Sequence, residues 1–304
     1  MKRRYIHQAV SISSQGFWEG FTPPDIPENP HGFRAVEPDY KSLIPAMTLR
    51  RMSKITKMAL MCGLTVSRDS GVDWDGVIVG TGLGNLADTE KFLNLISAPE
   101  SGLIAPTAFT QSSHNTLSGQ IALQLKNHGY NMTHVQRFFS FENALKDACL
   151  QMTFGFKNLL LGAADEHIPL LDTLAKNMKF AVEDINNFGE GASFFQLSTD
   201  PSDMYVGDIL VKSRSENHAL EVDAFLHKNN IEKDSCLLVE TQEVPSWTTM
   251  AHVSIAGLVG MYMSSSAFAM HLGCSYLRSK EYPHVLTVNT DSASGLGLIL
   301  LSHE

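Results

Sequence analysis

The side chains able to do chemistry are scattered along this chain. Its four cysteines, Cys62, Cys149, Cys236 and Cys274, form no Cys-x-x-Cys pair. That spacing argues against a zinc site and against a disulfide framework. Cys149 reads as a buried structural thiol. The twelve histidines form no His-x-x-x-His cluster with a carboxylate, so no metal is expected. Ser113 beside His114 could suggest a hydrolase pair, but no Gly-x-Ser-x-Gly elbow accompanies it. A loop that contacts a dimer partner is the better reading of Ser112, Ser113, His114, Asn115 and Thr116. The run Gly80-Thr-Gly-Leu-Gly-Asn85 superficially offers a dinucleotide fingerprint. Its spacing is Gly-x-Gly-x-Gly and no ribose-binding acid follows, so it reads as a tight strand-to-helix turn. Glu190, in Gly-Glu-Gly-Ala, reads as a turn residue that accepts backbone amides. No cofactor is implied.

The bulk composition narrows the class further. Of 304 residues, 43 % are apolar and only 18 % charged, so a thick core or a permanent interface is expected. Disorder is excluded on the same grounds. The charge balance is 23 − 32 = −9, which speaks against a nucleic-acid-binding surface. Separated thiols fit a reduced, cytoplasmic compartment. Met1-Lys2-Arg3-Arg4 is followed by His, Gln and Ser rather than an apolar run, so secretion is not expected. Val253 to Leu277 contains no Asp, Glu, Lys or Arg, but its serines and glycines favour a buried soluble helix over a membrane span.

The elements that must position any site read as alternating strands and helices. Residues 1–50 look irregular, with a Pro-rich section from Thr22 to Pro38. Apolar spacing predicts a helix over 46–67. Gly76 to Gly80 is an all-apolar strand of the kind buried on both faces. A helix at 87–97, a helix at 114–127 capped near Asn115, and a strand from Met132 to Gln136 follow. Arg137-Phe138-Phe139-Ser140 then leads into a helix from about Glu142 to Phe154. A strand at Asn158 to Leu161, a turn at 162–166, mixed structure over 167–188 and a strand from Ser193 to Ser198 close the first part. Thr199 to Asp203 is the best internal boundary, dividing 1–199 from a shortened second half, 200–304. Beyond it the pattern restarts: strand 205–212, helix 218–229, strand Ser235 to Glu240, helix 262–278, strand His284 to Thr290. The closing Gly295–Ser302 echoes Gly191–Ser198, which suggests a pseudo-duplicated α/β protein.

These pieces resemble a known family. Gly76 to Gly84, Pro106-Thr-Ala-Phe109, Ser112 to Gly119, Ala144-Leu-Lys-Asp-Ala148, residues 159–166, Gly-Glu-Gly-Ala (189–192), Val239-Glu240 and the Ser-rich helix occur in the order seen in β-ketoacyl synthases. The resemblance implies a five-layer αβαβα thiolase fold made of two repeated halves. Synthase chemistry needs a cysteine at the N-terminus of a buried helix, where the dipole favours the thiolate. It also needs two histidines to polarise the malonyl group and a lysine to hold the network. Counting back from Ala144 places the nucleophile position at Phe138. The first histidine position reads Gln242. The lysine and second histidine positions read Ala256 and Met261. All four are degenerate at once.

The resemblance is to the family's chain-length factors, subunits that pair with an active ketosynthase. It lies nearest those of aryl-polyene, flexirubin and dialkylresorcinol pathways. It implies a heterodimer with an active ketosynthase, contact with an acyl carrier protein through that complex, and no catalytic residue of its own. The strand before the elbow is expected to pair across the dimer axis. Interface and tunnel residues would then be Ser112 to Thr116, Met132, Val135, Gln136, Phe138 and Phe139. Two alternatives stay open: a small active acyltransferase or ketosynthase using non-standard residues such as Ser140 or His252, and a non-catalytic homodimeric binding protein.

Overall fold

The computed structural model describes residues 3–22, 32–68, 70–97, 106–242, 249–291 and 295–304. Much of the Pro-rich section from Thr22 to Pro38 lies outside them. The strands are β1 (Arg4–Ser13), β2 (Gly16–Glu19), β3 (Gly76–Gly80), β4 (Tyr130–His134), β5 (Asn158–Asp165) and β6 (Gly191–Ser198). They continue with β7 (Met204–Lys212), β8 (Cys236–Glu240), β9 (His252–Ser254), β10 (His284–Thr290) and β11 (Leu296–His303). The helices are α1 (Ala46–Leu49), α2 (Lys54–Arg68), α3 (Leu86–Ser97), α4 (Pro106–Ser112), α5 (Thr116–Leu125) and α6 (Ser140–Thr153). After them come α7 (Pro169–Asn177), α8 (Val182–Asn186), α9 (His218–Lys228), α10 (Ala256–Val259) and α11 (Ser265–Ser279).

Two five-strand arrays repeat one topology. The first runs β4-β3-β5-β6-β1 and the second runs β9-β8-β10-β11-β7. In each, the strand second from the outer edge is parallel to both neighbours, and the next two contacts inward are antiparallel. A short antiparallel contact of Arg4 and Tyr5 with Val206 and Tyr205 joins the arrays. The echo of 191–198 in 295–302 is thus the same strand position in each copy, β6 and β11. Helices α2 and α5 cover the outer face of the first array. Helices α6 and α11 lie between the arrays and touch strands of both. Helix α9 covers the second array's outer face through Val222, Phe225 and Leu226. The layers therefore run αβαβα.

Local sequence explains the inner helices. On α6, Phe141, Ala144, Leu145, Ala148 and Met152 recur at helical spacing and are all buried. Helix α11 is buried on nearly every side, which is why it carries no charge before Arg278. It cannot be one span from 253 to 277, because α10 ends at Gly260 with φ 70 and α11 starts at Ser265. Among the described residues no helix is long and apolar enough to cross a membrane.

The largest departure from the sequence reading is at the N-terminus. Residues 4–13 are not irregular: they form β1, in the middle of the sheet, with β2 folded back on it. Its polar residues are paired rather than solvated. Ser11 Oγ shares a 2.7 Å hydrogen bond with Ser193 Oγ and lies 2.6 Å from His271 Nδ1. The other ring nitrogen, Nε2, is 2.7 Å from the Gly20 carbonyl oxygen, which can only accept, so Nε2 carries the proton and Ser11 donates to Nδ1. Trp18 stacks on the same imidazole at 3.7 Å between ring centroids. Burial pushes the His271 pKa down to about 3, so the ring is neutral. Smaller differences follow local geometry. The helix expected over 46–67 breaks at residues 50–53 into α1 and α2. The turn expected at 162–166 is strand as far as Asp165. The strand expected from Met132 to Gln136 ends at His134.

Candidate functional site

The elbow between β4 and α6 is where the sequence pointed to chemistry. Arg137 to Phe139 form a single 3-10 turn, and Arg137 holds φ at 53, in the left-handed region. The strained residue is thus one position before Phe138. Ser140 fastens the turn on both sides: its Oγ accepts from Gln136 N at 2.8 Å and donates to the Arg137 carbonyl at 2.7 Å. Gly80 lets the helix start come close, since a Cβ there would fall 2.8 Å from the Ser140 carbonyl carbon. Phe139 is buried, whereas the Phe138 ring is partly exposed. The Phe139 ring lies against the start of β11, where a Cβ at Gly295 would approach it to 2.5 Å.

Two elements of the second half close on this elbow. Asn289, on β10, donates Nδ2 to the Phe138 carbonyl at 2.6 Å and to Glu142 Oε1 at 2.7 Å. Its Oδ1 accepts from Thr241 Oγ1 at 2.9 Å. Gln242 donates to the Thr290 carbonyl at 3.0 Å, so Phe138 and Gln242 both reach the C-terminal end of β10. Ala256 and Met261 do not join them through any hydrogen bond. Ala256 opens α10, and Met261 is held by its backbone to Asn187 and Gly189. His252 lies exposed on the edge strand β9. Sequence reasoning missed Glu142 and Asn289, a buried hydrogen-bonded pair of polar side chains at the centre of this region.

The carboxylates behind the site serve the scaffold. Asp165, at the end of β5, accepts from Gly82 N at 2.9 Å, Leu83 N at 3.2 Å, Thr81 Oγ1 at 3.1 Å and Ser264 N at 2.9 Å. The amides of the glycine-rich turn are thus occupied by the chain's own carboxylate. Burial raises the Asp165 pKa, and these donors oppose the shift. Glu166 accepts from Ala87 N at 2.9 Å and Ile55 N at 3.3 Å, at the first turns of α3 and α2. Its burial lifts its pKa to about 7. Glu190 accepts from Ala35 N at 2.9 Å, His167 N at 3.0 Å and Lys54 Nζ at 2.5 Å. Among the described residues no group of three His, Cys, Asp or Glu is placed to hold a metal ion.

Beside the elbow, β4 is the outer edge of the first array. Asp147 of α6 accepts from Tyr130 Oη at 3.0 Å and lies 2.9 Å from His134 Nε2. Ser118 of α5 holds the other face through Asn131 and Thr133. The strand is therefore fixed from behind while Met132 and Val135 stay 39 % exposed. Val135 and Gln136 lie just past the strand end. Ser113, His114 and Asn115 are exposed in the turn between α4 and α5. Asn115 stands at the cap position of α5 but its side chain caps no amide; its Oδ1 accepts from Ser113 Oγ instead.

Residues 26–182 match the family model described as the β-ketoacyl synthase N-terminal domain. The chain belongs to the β-ketoacyl synthase family. Its fold is that of ketosynthases in solved structures. A β-ketoacyl synthase from Burkholderia phymatum superposes with a TM-score of 0.79 at 11 % identity, over 100 % of both chains. A structure described as the ishigamide ketosynthase/chain length factor gives 0.76 at 16 % identity, over 99 % of both chains. A ketosynthase in complex with its chain length factor, from Xenorhabdus doucetiae, gives 0.60 at 16 % identity, again over 99 % of both chains. No curated protein sequence matches the chain at a significant level. Within this ketosynthase fold, the elbow at 137–140 is the strand-to-helix turn that leads into the central helix α6.

Proposed function

We propose that this chain is a ketosynthase homologue without acyl-transfer chemistry of its own. It acts as a chain-length factor, paired with an active β-ketoacyl synthase in a type II polyketide or fatty-acid-like pathway of the polyene-pigment kind. The acyl carrier protein meets it through that complex. The observation that carries this reading is the elbow. Arg137, Phe138 and Phe139 offer no sulfur, hydroxyl or imidazole. The Ser140 hydroxyl is engaged as both donor and acceptor. Cys149 is on the same helix but well beyond its first turn, and burial pushes its thiol pKa up to about 11, so it carries almost no thiolate near neutrality. Gln242, Ala256 and Met261 supply no imidazole or ammonium in place of the expected histidines and lysine. The two solved complexes that pair a ketosynthase with a chain length factor fit the same reading. So does an unpartnered, rigidly backed edge at β4.

Two measurements test it. Intact-mass spectrometry of the chain after incubation with an acyl-carrier thioester or cerulenin should show no covalent adduct. A stoichiometric adduct on Ser140 or Cys149 overturns the non-catalytic reading. Co-expression with a candidate partner ketosynthase from the same gene neighbourhood should yield a one-to-one complex on a sizing column. A chain that stays monomeric in the presence of that synthase removes the partner role.

A further inference from the structure

Glu142 is fully buried in the first turn of α6. Three other elements close around its carboxyl. From β10, Asn289 donates to Oε1 at 2.7 Å. From β11, Gly297 lies so near that a Cβ there would fall 3.0 Å from Oε1 and 3.1 Å from the Phe139 ring of the elbow. From α11, the Ser266 hydroxyl stands near the carboxyl and favours its ionised form. The second oxygen, Oε2, has no donor in hydrogen-bond geometry, and the Ser266 hydroxyl is equally unengaged. None of these elements directs a charged group at it. An ionised carboxylate here would be an unpaired buried anion with one oxygen undonated, which is expensive. A neutral acid avoids that cost.

We infer that Glu142 is a proton-operated clasp: as the neutral acid it can stay in its dry site and keep Asn289, and through Asn289 the Phe138 carbonyl, in place, whereas the ionised carboxylate, although it accepts from Asn289 more strongly, is drawn out toward water and so loosens the elbow and the edge strand that feeds it. This goes beyond the partner role proposed above and does not depend on it. Burial outweighs the opposing donors Asn289 and Ser266 and lifts the Glu142 pKa to about 7. An unfolded glutamate loses its proton near pH ~4.3. The folded pKa is the higher one, so the folded state holds the proton longer. Stability from this group is therefore full below about pH 4, falls as pH rises, and is spent by about pH 8. Glu166 is lifted to about 7 as well and adds a slope of the same sign, so the test must be a difference between variants.

The full-length chain is melted across about pH 5 to 8.5 as wild type, Glu142→Gln and Glu166→Gln. Wild type should lose melting temperature over that range. Glu142→Gln should lose less, and should melt about 2–6 °C above wild type at the upper end. Hydrogen exchange of the elbow amides, corrected for intrinsic rates, should speed up with pH in wild type and stay flat in Glu142→Gln. A Glu142→Gln protein that keeps the wild-type slope and exchange overturns the clasp. If Glu142→Gln does not fold, carbon-13 carboxyl spectra of glutamate-labelled Glu166→Gln decide instead. One carboxyl resonance titrating near pH ~7 supports the clasp, and none above about pH 6 overturns it.

Discussion

Phe139→Ala should cost about 3–5 kcal/mol of folding stability, the usual range for emptying a buried aromatic site. The ring is buried against Gly295 and Gly297, and two glycines cannot fill the void it leaves. At roughly 2 °C per kcal/mol for a chain of this size, the melting temperature should fall by about 6–10 °C. Phe138→Ala should cost far less, about 1 kcal/mol, because that ring is only partly buried and its structural tie is a backbone carbonyl that alanine retains. Thermal melts of the two variants side by side measure the difference. Equal losses, or a mild Phe139 variant, would mean the elbow is not packed shut by Phe139. In the chain-length-factor reading, a ring locked over β11 fills this subunit's own elbow region. Only Phe138 then remains as the aromatic that can be exchanged without unfolding the elbow.

What could be read from the sequence tracks how residues satisfy their polar groups. Gly76 to Gly80 was legible because a run of apolar residues between glycines has one natural home, a strand covered on both faces. Strand β10 was legible in full because its β-branched and apolar residues, Val285, Leu286, Thr287 and Val288, lie together between turn residues. Strand β1 was not. A register shift between Ile6 and Gln8 breaks its alternation, and Ser11 looks like a surface residue until Ser193 and His271 supply partners from elsewhere in the chain. The break between α1 and α2 was hidden because Met52 and Ile55 keep the helical spacing across it. Burial of Glu142 was illegible for a similar reason. A glutamate in the first turn of a helix is the ordinary choice beside a helix dipole on the surface. Only the three-dimensional meeting of α6 with β10, β11 and α11 removes it from water. The degenerate positions at 138, 242, 256 and 261 came from the resemblance alone. Their residue types are legible in the sequence, but the fastening of the elbow by Ser140 and Asn289 is not.

The edge strand carries the other large expected effect. If the chain pairs with a ketosynthase as proposed, Met132→Asp and Val135→Asp, each co-expressed with that partner, should weaken the complex at least tenfold, a loss of about 1.4 kcal/mol or more. A sheet edge invites another strand, and on β4 the backing from Asp147 and Ser118 fixes that edge in place before any partner arrives. Little ordering cost then remains to be met on association. Met132 and Val135 are 39 % exposed in the free chain, so an aspartate at either position should leave the melting temperature of the isolated chain nearly unchanged. Leu220→Asp is the control: Leu220 is 65 % exposed on α9, which covers the array at the opposite end of the sheet from β4. The readouts are complex yield on a sizing column and dissociation constant by titration. Loss of binding in the first two variants with the control intact places the partner on β4. Undiminished binding in Met132→Asp and Val135→Asp, or equal loss in Leu220→Asp, would move the interface elsewhere and leave the exposed edge without its proposed occupant.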